Sequence, residues 1–147
     1  MKKTMMIIVA GTAFMLSGCG ESAVKCDDPN AQKAVISLSE VQIKNLLGRM
    51  SPDFTMRQVF SVYNYQVMQQ ADKKLYPGFP AYLKKVDDMY REAAPALSNI
   101  RTEAVDDNLQ KSQCAADVSF SDGSRIPITY KLSKTTDGKL YTEVFGF

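Results

Sequence analysis

Histidine is absent from the chain, and so is tryptophan. Without an imidazole the protein lacks the commonest general base and the commonest zinc ligand, which excludes Ser-His-Asp and Cys-His catalysis. No P-loop, GxSxG or GxGxxG run occurs. Cysteine is scarce, and Cys26 and Cys114 are too far apart in sequence to suggest a local metal clasp. Long apolar runs are missing too. The stretch from Met5 to Leu16 falls well short of the roughly 20 residues that a membrane-spanning helix needs. Acidic side chains do come in pairs, at Asp27-Asp28, Asp87-Asp88 and Asp106-Asp107. Each has a structural reading, as a helix cap, a solvated helix face and a turn, ahead of a glycosidase-like carboxylate dyad. A Ca²⁺ site at Asp106-Asp107-Asn108 would lack the EF-hand continuation. The expectation is a protein that is not an enzyme and holds no metal and no cofactor.

What the chain does have begins at its start. Lys2 and Lys3 precede the uncharged stretch Met5 to Leu16, the layout of a secretory signal. That stretch runs into Leu16-Ser17-Gly18-Cys19, which resembles the lipobox of bacterial lipoproteins at every position. The resemblance implies removal of residues 1–18 and attachment of a diacylglycerol to the Cys19 thiol. It also implies a sorting outcome, since Gly20 stands where an Asp would retain the protein in the inner membrane. The expected location is the outer membrane, facing the periplasm, with the lipid as the membrane contact. Lipid contributes about 0.8 kcal/mol per buried methylene, so two or three acyl chains would hold the protein permanently.

Loss of Lys2 and Lys3 leaves the mature chain with equal numbers of basic and acidic side chains. Net charge therefore supports neither nucleic-acid binding nor attraction to an anionic surface. With Cys19 carrying lipid, Cys26 and Cys114 remain as a pair in an oxidising compartment, and parity predicts a disulfide between them. Residues 19–25 read as a lipidated tether without a core of its own, and 26–147 as one periplasmic domain.

Asp28-Pro29 reads as a helix cap followed by proline in the first turn. Ala31, Ala34, Val35, Leu38 and Val41 recur at helical spacing behind it, with Gly48 and Ser51-Pro52 as the stop. A bend is expected near 37–40, or else burial on more than one side. Met56, Val59, Phe60, Tyr63, Val67 and Ala71 fit the face of a single second helix. Beyond Pro80, Leu83, Val86, Met89, Tyr90 and Ala93 mark another, with Lys84 set against Asp87 and Asp88. After Pro95 the apolar period falls to two, and the turn signals at 106–108, Asp122-Gly123 and Asp137-Gly138 divide four strands. The fold class expected is α+β, with N-terminal helices packed on one face of a four-stranded antiparallel meander, an element order similar to cystatin-like and NTF2-like domains.

The runs Ser98-Asn99-Ile100-Arg101-Thr102, Cys114-Ala115-Ala116-Asp117 and Thr142-Glu143-Val144-Phe145-Gly146 also resemble the C-terminal half of small proteobacterial lipoproteins of uncharacterised role. Tyr141, Phe145 and Phe147 resemble the terminal strand of outer-membrane β-barrels. Glu143 interrupts that pattern, and four strands are half of what the smallest such barrels use.

The segment from Tyr76 to Tyr82 places three aromatics around a loop fixed by Pro77 and Pro80. Tyr76, Phe79 and Tyr82 are the candidate partner-binding residues, because aromatics held on a surface loop make contact area at low entropic cost. The plainer reading has Phe79 and Tyr82 folding back over the joint between two helices. The function expected is a non-catalytic module that binds or inhibits an envelope protein, of the immunity or exclusion type. The alternatives are an assembly accessory of an envelope complex, or a small-molecule or lipid-binding domain.

Overall fold

The computed structural model describes residues 22–147, so the signal segment, the lipobox and Cys19 lie outside the described residues. Four helices precede four strands: α1 (Pro29–Met50), α2 (Phe54–Val62), α3 (Tyr65–Gln70), α4 (Phe79–Ala93), β1 (Ala96–Asp106), β2 (Lys111–Ser119), β3 (Arg125–Lys134) and β4 (Leu140–Phe145). This is the α+β class, with the strands in one antiparallel sheet of order β1-β2-β3-β4. The chain divides into two compact units. One comprises the residues up to Leu38 with Ala96–Ser119 and Gly123–Phe147, and the other Ser39–Pro95 with Phe120–Asp122.

In the sheet unit the hairpins fall where the turn residues put them. Gly123 and Gly138 take φ of +86° and +79°, a conformation that costs a residue with a Cβ and suits glycine. Ser112, Cys114, Ala116 and Val118 of β2 are buried, and the register sets Cys114 beside Tyr130, Ala116 beside Ile128 and Ser112 beside Leu132. These side chains make one buried face, as period-two alternation requires. β1 departs from that pattern. It is an edge strand, largely exposed, with register shifts between Ser98 and Arg101 and between Thr102 and Ala104.

Asp28 caps α1, its Oδ1 accepting from the backbone N–H of Asn30 and Ala31 at 2.8 and 3.0 Å. Ala31 and Val35 on the first half of that helix are fully buried. The expected bridge is present: Cys26 is bonded to Cys114 with a Cα separation of 5.7 Å, tying the approach to α1 onto the buried face of β2. The Tyr130 hydroxyl donates to the Cys26 carbonyl at 2.7 Å beside it.

The segment before Cys26 differs from the free tether read from the sequence. Ala23 is 9% exposed and its N–H donates to Asp107 Oδ1 at 3.1 Å, while Ser112 Oγ donates to the Val24 carbonyl at 2.6 Å. Small residues that read as linker are therefore fixed to the β1–β2 hairpin. Their backbone groups find polar partners there, which composition alone does not reveal.

Tyr130 carries a testable pH dependence. Burial, with the nearby Asp27 charge adding to it, pushes its ionisation up to about 12, whereas an unfolded tyrosine ionises at about 10. The unfolded chain thus loses this proton first, and stability falls as pH rises from about 10 towards about 12. Urea melts of the wild type and Tyr130→Phe should show a wild-type advantage that is full below pH 10 and shrinks above it. An advantage independent of pH would contradict this.

The helical unit is built around buried Met56, Phe60, Tyr65, Met68, Phe79 and Val86, with Val59, Tyr63, Tyr82, Leu83 and Met89 packed against them. Three sequence expectations change here. α1 is continuous to Met50, and Gly48 lies inside it, where an added Cβ would sit 2.3 Å from the Phe60 ring. Gly48 is thus a contact point for Phe60 and the stop comes at Ser51-Pro52. The single second helix is two, because Asn64 caps a new start by accepting from Val67 N–H, and Tyr63 before it is extended at φ −116° and ψ 132°. Finally, Lys84 pairs with Asp88 at 3.0 Å, whereas Asp87 is engaged by Lys44 at 2.8 Å.

Candidate functional site

The loop from Asp72 to Phe79 is held by its own backbone. Leu75 and Tyr76 N–H both donate to the Asp72 carbonyl, at 3.0 and 2.9 Å, and Phe79 N–H donates to the Tyr76 carbonyl at 3.1 Å. These bonds fix where the aromatics go. Tyr76 stacks on Phe79 with ring centroids 4.8 Å apart and planes 12° from parallel, and Tyr63 meets Phe79 at 5.1 Å and Tyr76 at 6.1 Å.

The three candidate residues consequently have different surroundings. Phe79 is 7% exposed and belongs to the core, Tyr82 is half-buried against that core, and Tyr76 is 42% exposed. Of the three, Tyr76 alone is exposed. Two further residues, neither of them a site candidate from the sequence, join it. Tyr63 completes the ring cluster from the break between α2 and α3, and Leu75 is 74% exposed beside it in the chain. Leu75 gave no periodic signal because it sits in a turn, where burial cannot be read from spacing.

Exposed large apolar side chains are concentrated in this unit. Met50, Phe54, Val62, Val67, Leu75 and Tyr76 lie in it, against Val105, Leu109 and Phe147 in the sheet unit. Arg57 covers one of them in part, its guanidinium 5.7 Å from the Phe54 ring centroid.

A second cluster surrounds Lys44, which is 7% exposed. Its ammonium contacts Glu40 at 2.5 Å and Asp87 at 2.8 Å, donates to the Tyr65 hydroxyl at 3.3 Å and lies over the Tyr65 and Tyr90 rings. Tyr65 in turn donates to Asp87 at 2.8 Å. Burial by itself would lower the lysine pKa, but the bonds to Asp87, Glu40 and Tyr65 outweigh it and hold the group above the ordinary lysine value. An amine so held stays protonated and serves as neither base nor nucleophile. The cluster joins α1, α3 and α4. Glu40 and Lys44 are legible as an i,i+4 pair, but the contributions of Asp87 and Tyr65 come from helices far along the chain.

The acidic pairs are each engaged structurally. Asp28 caps α1, Asp88 is bound by Lys84 and Arg91, Asp106 Oδ1 accepts from Leu109 N–H at 3.0 Å, and Asp107 accepts from Ala23 N–H. Among the described residues no three acidic or cysteine side chains are grouped as a metal would require. A half-open cleft of about 350 Å³ lies between residues 22–27 and β1, lined in part by Val24, Ile100, Thr102 and Val105. No helix among the described residues is long and apolar enough to cross a membrane. The chain matches no protein-family model, no curated protein and no solved structure.

Proposed function

We propose that the protein is an outer-membrane lipoprotein, anchored through Cys19 and facing the periplasm, that acts without catalysis by binding an envelope protein in the manner of an immunity or exclusion module. The observation that supports this reading is the exposed apolar group of the helical unit, above all Leu75 and Tyr76. Unconnected apolar side chains on a surface need no explanation, but a rigidly stacked tyrosine next to a leucine that is 74% exposed has the make-up of an interface anchor. The Lys44 cluster joins the three helices around it and supplies rigidity rather than chemistry.

The test uses the full-length lipidated protein in intact envelopes. A photocrosslinking residue at position 75 should yield a discrete adduct, and adding Tyr76→Ser should reduce the yield roughly tenfold or more, the effect of losing an anchor residue. A yield unchanged by Tyr76→Ser would overturn the assignment of this surface. Anchoring is checked separately, since Cys19→Ser should abolish incorporation of labelled palmitate.

A further inference from the structure

The first described residues sit at one particular end of the sheet. Ala23 bonds to Asp107 in the β1–β2 turn, Ser112 at the start of β2 holds Val24, and Lys134 N–H donates to the Gln110 carbonyl at 3.3 Å. Antiparallel order therefore puts the turns at 107–110 and 135–139 together at the end where the chain enters. Four residue steps separate Cys19 from Ala23. At 3.3 to 3.6 Å each they span about 14 Å at most. Val105 and Leu109 at this end are 54% and 59% exposed.

We infer that the β1–β2 hairpin tip, with Val105 and Leu109 as its apolar contacts, docks on the surface of the bilayer that holds the Cys19 lipid. The inference rests on the lipid anchor of the proposed function and on no other part of it. Its physical core is reach. A lipidated Cys19 keeps Ala23, and the turn bonded to it, within about 14 Å of the anchored atom, so two apolar side chains suffice where a free hairpin would need many. The short tether supplies the effective concentration.

Charge does not select the lipid. Lys25, Lys111 and Lys134 make no salt bridge among the described residues, while Asp106 and Asp107 lie at the same end and Lys139 is paired with Asp137. Cations and anions are mixed, so a zwitterionic surface is enough and the apolar contacts decide. One carboxylate oxygen of Asp106 accepts from Leu109 N–H and one of Asp107 from Ala23 N–H, which orders the turn that carries Leu109.

The absence of tryptophan makes the test clean, since one introduced indole is the only one in the protein. The lipidated protein with Leu109→Trp, and separately with Val105→Trp, is reconstituted in phosphatidylcholine vesicles whose acyl chains are brominated or unbrominated. Both positions are exposed, so both variants keep the fold. The control is Arg125→Trp, exposed at the start of β3 at the opposite end of the sheet, about 30 Å away at 3.3 Å per residue. The expected result is loss of fluorescence in brominated vesicles for positions 109 and 105 and none for position 125. Flotation with the vesicles but no quenching at 109 and 105 overturns the docking and leaves the anchor intact. Equal quenching at all three positions also overturns it, because contact is then not specific to the hairpin. Failure to float overturns the anchor and the docking together.

Discussion

Replacing Cys26 and Cys114 by serine should lower the stability of the folded protein by about 2 to 5 kcal/mol. The bridge joins positions 88 apart, and closing a loop of that length restricts the unfolded chain by about 4 to 5 kcal/mol on the chain-entropy model. Two local consequences add to the loss. The Tyr130 hydroxyl bond to the Cys26 carbonyl depends on where Cys26 is held, and Cys114 is fully buried on β2, so a serine there brings a hydroxyl into an apolar face. Urea denaturation of the wild type and the double serine variant measures the difference directly. A loss under about 1 kcal/mol would mean that the reduced chain is already constrained in its unfolded state. The same variant should loosen residues 22–25, since the bridge is the covalent part of their attachment to the sheet.

The parts of this architecture that were legible in the sequence are those whose cause is local. Asp28-Pro29 starts α1 because a carboxylate two or three residues away can cap the first free N–H groups, and the structure has those bonds. Asp122-Gly123 and Asp137-Gly138 mark hairpins because the positive φ they need is a property of one residue. The pairing of Cys26 with Cys114 followed from parity and export, with no geometry required. What stayed hidden depends on contacts between distant residues. The break at Tyr63-Asn64 was masked because Tyr63 is extended yet still packs on Phe79, so the apolar spacing continues through the end of α2. Gly48 looked like a terminator, and its purpose appears only when Phe60 comes against it. The β1 edge could not be read from alternation because its two register shifts alter which side chains face inward.

The candidate site shows the same division at a smaller scale. Sequence placed Tyr76, Phe79 and Tyr82 in one proline-bounded segment, and the structure brings Tyr76 and Phe79 into a stack while sorting them to opposite environments. No local rule distinguishes them, since both flank the same Pro77-Gly78 turn. The difference comes from Phe79 opening α4, whose apolar stripe carries it inward with Val86. Pro80 in the first turn of that helix is favourable, because its missing N–H has no intrahelical partner to lose.

Phe79→Ala should accordingly cost about 3 to 5 kcal/mol, the range for deleting a buried phenyl ring. The ring belongs to one buried core with Met56, Phe60, Tyr65, Met68 and Val86, and both Tyr63 and Tyr76 rest against it. Its removal therefore opens a cavity and takes away the support on which Tyr76 is stacked. Tyr76→Ser should cost only about 1 kcal/mol, since an aromatic pair contributes 0.5 to 1.5 kcal/mol beyond area burial and the tyrosine is already partly in water. The two variants separate stability from recognition. Thermal melts should show a fall of many degrees for Phe79→Ala and of a few degrees for Tyr76→Ser, while partner crosslinking at position 75 falls in both. A Phe79→Ala protein that melts close to the wild type would place the ring outside the core and reopen it as a direct contact residue. The discriminating comparison is Phe79→Leu, which restores most of the apolar volume. It should recover most of the stability but only part of the capture, because a leucine fills the core and offers Tyr76 no ring to stack on.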